Sequence, residues 1–135
     1  MIASRHLQEK HLDADTRILI VDDDGLIRTL LRHMLLKCGF CNLHEAGDGF
    51  QALSMLAEER YSLALLDLQM PGMDGLEVCR RMRVDFPDVP VILMSGSVPN
   101  WEPVLRVGAA GHLDKPLSIR DLERTVRQVL AEWST

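Results

Sequence analysis

The sequence predicts an α/β domain: a five-stranded parallel sheet, doubly wound, with helices on both faces. Three observations carry that prediction. Short apolar runs at 18–21, 63–66 and 89–94 lack polar alternation, as strands buried on both faces do. Between such runs apolar residues recur at helical spacing, so that strand and helix alternate five times. Two of the runs end abruptly in acids, at Asp22 and Asp67.

Ile18-Leu19-Ile20-Val21 is the first strand. Leu26, Leu30, Leu31, Met34, Leu35 and Cys38 then share one face of a helix that Gly39 stops. A second strand is expected over Asn42–Ala46, and Asp48 caps a helix with Phe50, Leu53, Leu56 and Ala57 on its buried face. Leu63-Ala64-Leu65-Leu66 is the third strand, ending in Asp67. A turn-rich loop over 69–75 leads to a helix that buries Leu76, Cys79 and Met82 and stops at Pro87. The fourth strand spans 89–94, with Pro90 at its start, where no ladder donor is needed. Pro99 and Pro103 make any helix in 98–108 short or late. Gly111–Asp114 is a brief fifth strand. Ser118, with Asp121 three residues on, caps a last helix whose stripe is Ile119, Leu122, Val126, Val129, Leu130 and Trp133.

At 135 residues the chain suits one globular domain, and an apolar fraction of 47% excludes a disordered one. Residues 1–16 are expected to be a flexible polar extension and 17–135 the folded domain. No apolar run approaches the roughly 20 residues of a membrane span, and the N-terminus lacks the apolar centre of a secretory signal. A cytoplasmic protein is expected. The net charge of −5 argues against direct nucleic-acid binding. Three cysteines, an odd number, do not suggest a disulfide framework.

In doubly wound sheets ligands bind at the carboxyl ends of the strands, near the point where strand order reverses. The residues expected there are Asp22, Asp23, Asp67, Ser95 and Lys115. Crowded carboxylates repel unless a cation intervenes, and Mg²⁺ takes one or two carboxylates plus waters and phosphate oxygens. A carboxylate can then act as nucleophile towards phosphorus, with a hydroxyl and a lysine on the phosphoryl oxygens. Taken singly each residue has a plainer reading: an acidic run such as Asp22-Asp23-Asp24 often caps a helix, Ser95 suits a turn, and Lys115 suits a solvated charge. Their joint placement on one rim favours the site.

The strings ILIVDDDGLIR (18–28), LLDLQMPGMDG (65–75), VILMSG (91–96) and DKPL (114–117) resemble a response-regulator receiver domain over about residues 17–133. The resemblance implies a flavodoxin-like (βα)5 fold in two-component or phosphorelay signalling. Asp67 matches the phosphoacceptor, and Asp22 and Asp23 match the acidic pair that, with Asp67 and the Gln69 backbone carbonyl, holds Mg²⁺. Ser95 matches the switch hydroxyl, Lys115 the family's lysine, and Arg28 marks the register. Gln69 and Ser97 match positions that tune the lifetime of the aspartyl phosphate. A cis Lys115–Pro116 bond is implied as well. The implied partners are a sensor histidine kinase or histidine phosphotransfer protein and a downstream protein target, with no nucleic-acid or membrane contact. No enzymatic activity is implied beyond Mg²⁺-dependent self-phosphorylation and autodephosphorylation.

Three departures fall on the output face. The switch position, usually Tyr or Phe, matches His112; the stretch from Ser95 to Lys115 is about two residues short; and Leu117 replaces a common Phe. The main rival is a haloacid-dehalogenase-like phosphatase with Asp22 as nucleophile and Asp24 as general acid. It lacks a further acidic motif after the lysine, since Asp121-Leu122-Glu123 lies in a helix. A redox or zinc role for Cys38 and Cys41 with His33 or His44 lacks a second cysteine pair, so buried structural cysteines are expected.

Overall fold

The structure, a computed structural model, describes residues 15–133. Its elements are β1 (Arg17–Val21), α1 (Gly25–Lys37), β2 (Asn42–Ala46), α2 (Gly49–Glu58), β3 (Leu63–Asp67), α3 (Gly75–Asp85), β4 (Val91–Ser95), α4 (Glu102–Leu105), β5 (Gly111–Asp114) and α5 (Ile119–Trp133). The strands form one sheet in the order β2-β1-β3-β4-β5, with every neighbouring pair parallel. Of the extension expected over 1–16, residues 1–14 lie outside the described residues, as do 134 and 135.

Successive side chains of a strand point to opposite faces, so each apolar run feeds two cores. Ile18, Ile20, Leu63 and Leu65 pack with Leu31 and Leu35 of α1 and Leu122, Val126 and Val129 of α5. Leu19, Val21, Ala64 and Leu66 pack on the other face with Leu56 of α2 and Cys79 and Met82 of α3. A strand covered on both faces has no position for a polar side chain until it leaves the sheet. That is why β1 is followed by an acid and β3 ends in one.

Side-chain oxygens begin the helices. Asp24, Asp48 and Asp74 accept from the backbone N–H of Leu26 (2.9 Å), Gln51 (2.7 Å) and Glu77 (2.9 Å), and Ser118 accepts from Asp121 (3.1 Å). Gly39, at φ +98°, follows the end of α1, and Lys115–Pro116 is cis. The helix that follows Pro99 is one short turn, with Pro103 in it. Strand β4 starts at Val91, so Val89 and Pro90 lie just before it; the Pro90 carbonyl still accepts from Ala64 N–H at 3.0 Å.

Three helix faces differ from expectation. Leu26 and Leu30 are 81% and 43% exposed, because the buried stripe of α1 runs through Leu31, Leu35 and Cys38. At about 100° per residue, a stripe read one position too wide carries its edge away from the sheet. The same slip exposes Phe50 (64%) and Ala57, while Ala52 and Leu56 go inward. Ile119 and Trp133, at the two ends of α5, are also exposed. Of the cysteines expected inside, Cys38 and Cys79 are buried, but Cys41, in the turn between α1 and β2, is exposed.

Candidate functional site

Strand order reverses at β1, which has β2 on one side and β3, β4 and β5 on the other. The α1 and α3 connections therefore leave in opposite directions, opening a crevice at the carboxyl ends of β1 and β3. Asp22 and Asp23 follow β1 into it, Asp67 ends β3, Ser95 ends β4 and Lys115 follows β5. One carboxylate oxygen from each of Asp22, Asp23 and Asp67 lies within 4.8 Å of the others. Asp22 and Asp67 are 1% and 5% exposed, whereas Asp23 opens to solvent. Lys115 Nζ stands 3.1 Å from Asp22 Oδ2 and 3.2 Å from Asp67 Oδ1.

Burial pushes the Asp67 carboxyl above its ordinary value, and the charge of Asp22 pushes it further. Lys115 and the Gln69 backbone N–H pull the other way without cancelling the rise. Burial by itself would lower Lys115, yet its bonds and charge contacts with Asp22 and Asp67 leave it raised. One ammonium, bonded to Asp22 and Asp67, thus stands against a cluster of three carboxylates. Hard oxygen donors with an excess of negative charge fit a hard divalent cation.

Beside the acids, the buried Ser95 hydroxyl accepts from Ser97 N–H at 3.2 Å and lies 3.4 Å from Ser97 Oγ. Gln69 Nε2 donates to Ser97 Oγ at 2.7 Å, so the loops after β3 and β4 are tied together at the crevice. His112 stands apart from this group. Its side chain is exposed on β5 and stacks on the Trp101 ring, with centroids 4.8 Å apart. Sequence reasoning missed the supports. Arg28 Nη1 donates to the Asp22 carbonyl at 2.6 Å and Arg28 Nε to Glu45 at 3.1 Å. Trp101 Nε1 donates to Asp114 Oδ1 at 2.8 Å. Asp24, which the phosphatase reading needs as an acid, is engaged as the α1 cap. Among the described residues the Asp22–Asp23–Asp67 trio is the group of metal-ligating side chains found together; Cys38 and Cys41 belong to no such cluster.

A doubly wound parallel sheet with an acidic crevice and a lysine reaching into it is the design of a signal receiver. The chain belongs to the response regulator receiver domain family, whose model matches residues 18–127. It is 39% identical over 116 residues to the response regulator MprA of Mycobacterium avium, covering 84% of this chain and 50% of that protein. The chain therefore spans about half the length of the curated relatives it matches. Among solved structures it is similar to the chemotaxis protein CheY4 of Vibrio cholerae, with a TM-score of 0.77 and 30% identity over 86% of this chain and 99% of that one. A CheY-like receiver domain protein of Methanospirillum hungatei matches with a TM-score of 0.81 and 30% identity, covering 88% and 96% of the two chains. The flavodoxin-like fold and the receiver identity expected from the sequence both hold, and with them a place in two-component signalling. Receivers work with histidine kinases or phosphotransfer proteins and use Mg²⁺ at an acidic cluster such as this one. Among the described residues no helix is long and apolar enough to cross a membrane.

Proposed function

We propose that this domain accepts a phosphoryl group on Asp67 from a phosphohistidine of a sensor histidine kinase or histidine phosphotransfer protein. The observation that supports it best is the position of the Asp67 carboxylate in the crevice, with Asp22 and Asp23 oxygens within 4.8 Å and Lys115 Nζ at 3.2 Å. An oxygen of ionised Asp67 attacks phosphorus; the O–P bond forms as the donor's N–P bond breaks, and the imidazole leaves with the bonding pair. Asp22, Asp23, Asp67 and the Gln69 backbone carbonyl are the assigned ligands of Mg²⁺. When bound, the ion neutralises charge between the carboxylates and the phosphoryl oxygens. Ser95 donates its hydroxyl to one phosphoryl oxygen, and Lys115 pairs with another.

Gln69 and Ser97, already bonded to each other beside Ser95, flank the approach of water and set the lifetime of the acyl phosphate. Ser95 and His112 are the assigned switch residues, and residues 17–135 the receiver unit. The output goes to a downstream protein target by protein–protein contact. No nucleic-acid or membrane contact is assigned to this unit, its compartment is the cytoplasm, and its chemistry is confined to its own aspartate.

Incubation with acetyl phosphate and Mg²⁺ is expected to add one phosphoryl mass to the intact protein. Asp67→Ala should abolish the addition, and excess chelator should suppress it in the wild type. Undiminished labelling of Asp67→Ala would overturn the assignment.

A further inference from the structure

Arg28 is the fourth residue of α1, yet its side chain turns back towards the start of the helix. Its Nη1 donates to the Asp22 main-chain carbonyl at 2.6 Å, and its Nε donates to Glu45 Oε1 at 3.1 Å. The guanidinium lies between two loops. A Cβ on Gly25 would stand 3.4 Å from Nη2, and one on Gly47 would stand 3.6 Å from Nη1. Arg28 therefore bridges the turn after β1, which carries two of the crevice acids, to β2, an edge strand. Glu45 is fixed in its turn. Arg32, one turn further along α1, donates to its other carboxylate oxygen at 2.8 Å.

The two acids of that turn are held in different ways. Asp22 is engaged at every polar atom: its N–H donates to the Ala46 carbonyl at 3.2 Å, and its own carbonyl accepts from Arg28. Its Oδ1 accepts from Asp24 N–H at 2.9 Å and its Oδ2 from Lys115 at 3.1 Å. Asp23 is exposed, and among the described residues no hydrogen bond or ion pair holds its carboxylate. The backbone beneath it sets its aim over the crevice. That backbone is the Asp22–Asp23 peptide, whose oxygen Arg28 grips. A planar guanidinium can take two acceptors at once in fixed directions, which a point charge cannot. Glu45 offsets the guanidinium's charge, so the grip adds little net positive charge where a cation has to bind.

We propose that Arg28 is a positioning residue for the metal site: braced by Glu45, it holds the Asp22–Asp23 peptide so that both carboxylates face the ion, and it thereby sets the affinity for Mg²⁺. The inference rests on the reading of Asp22, Asp23 and Asp67 as Mg²⁺ ligands. Partners that orient metal ligands without touching the metal typically govern its affinity by about 10- to 100-fold. An ion pair with a structural role alone would change how much of the protein is folded. It would leave unchanged how tightly the folded protein binds Mg²⁺.

Mg²⁺ is titrated into the full chain with no phosphodonor present, and the Kd is read from amide chemical shifts at a temperature where each variant is folded. Arg28→Ala should raise the Kd about tenfold or more. Arg28→Lys, whose ammonium cannot span both acceptors, should fall between that value and the wild type. Arg32→Ala is the control: it removes the other bond to Glu45 and the bond to the Leu43 carbonyl, but touches nothing in the turn after β1. It should bind Mg²⁺ as the wild type does. An Arg28→Ala Kd equal to or below that of the wild type overturns the proposal, because charge and not position would then be the whole of its effect. Equal losses in Arg28→Ala and Arg32→Ala overturn it too, since the packing of α1 on β2 would then suffice. Where Arg28→Ala does not fold, Arg28→Lys decides, and a wild-type Kd for it sinks the proposal. A wild-type chain that binds no Mg²⁺ overturns the reading of the three acids on which the inference depends.

Discussion

Asp22 is held from two sides, and the two holds differ in kind. Lys115 neutralises its carboxylate in the crevice, while Arg28 grips its backbone carbonyl and reaches on to Glu45. Arg32 takes the other oxygen of Glu45 at 2.8 Å. Burial would raise Glu45, but its bonds to Arg32 and Arg28 hold it below the ordinary carboxylate value. An acid depressed in the folded state adds stability above its unfolded pKa and loses it as pH falls through the folded value. Glu45→Gln should therefore cost about 0.5–1 kcal/mol at neutral pH, the upper end for a partly exposed pair. The gap to wild type should close in acid, once Glu45 is protonated in both states. Urea unfolding at neutral pH and at about pH 3 checks this, and a gap of equal size at both would sink it. The acids themselves were legible in the sequence, since a carboxylate at the end of an apolar run has few structural excuses. Their supports were not: Arg28 meets Glu45 across 17 residues and Trp101 meets Asp114 across 13, separations that no local pattern reports.

Elements were legible in number, order and kind, because strands buried on both faces and helices buried on one leave different periodicities. Helix rotation was read less well. In α1 the apolar residues Leu26 and Leu30 widen the stripe, and only the sheet decides that Leu31 and Leu35 face inward. The loop from β3 to α3 shows what fixes an element's start. A Cβ on Gly75 would lie 2.2 Å from the Asp67 carbonyl oxygen, and the Gly75 N–H donates to Leu68 O at 3.1 Å. The first residue of α3 therefore sits directly on the backbone of Asp67, the proposed phosphoacceptor. Gly75→Ala must displace that backbone, and is expected to destabilise the domain by about 1–3 kcal/mol, as overpacking does, and to slow labelling by acetyl phosphate. Gly96→Ala is the control, since its Cβ would meet Lys115 Cβ at an ordinary 3.5 Å. Melting curves and labelling rates of the two variants decide the matter; a Gly75→Ala protein equal to the control in both would show that the close approach sets nothing.

Across the whole domain, two cores on opposite faces of one sheet leave the carboxyl rim as the place where residues of every strand converge. The same rim carries apolar side chains that no core uses. Leu26 and Phe50, 81% and 64% exposed, are each the second residue of a helix that starts where β1 or β2 ends, so they flank the crevice. Around them Asp23, Asp24, Asp48 and Asp74 lie exposed, in a chain of net charge −5. Acidic charge steers a basic partner from a distance, and exposed apolar side chains hold it once it has arrived. On the proposed function, a partner delivering phosphohistidine to Asp67 has to approach over this rim; acetyl phosphate, a small anion, needs none of it. Leu26→Ser combined with Phe50→Ser should change stability by no more than about 0.5 kcal/mol, because neither side chain is packed, and should label with acetyl phosphate at the wild-type rate. Transfer from a phosphohistidine protein that phosphorylates the wild type should fall about tenfold in kcat/KM, as when interface anchors are truncated. Wild-type transfer should also slow as salt is raised, through loss of steering. Equal losses with protein and small-molecule donors would mean that the substitutions had damaged the crevice itself. Unaltered transfer from the protein donor would mean that it docks elsewhere on the domain.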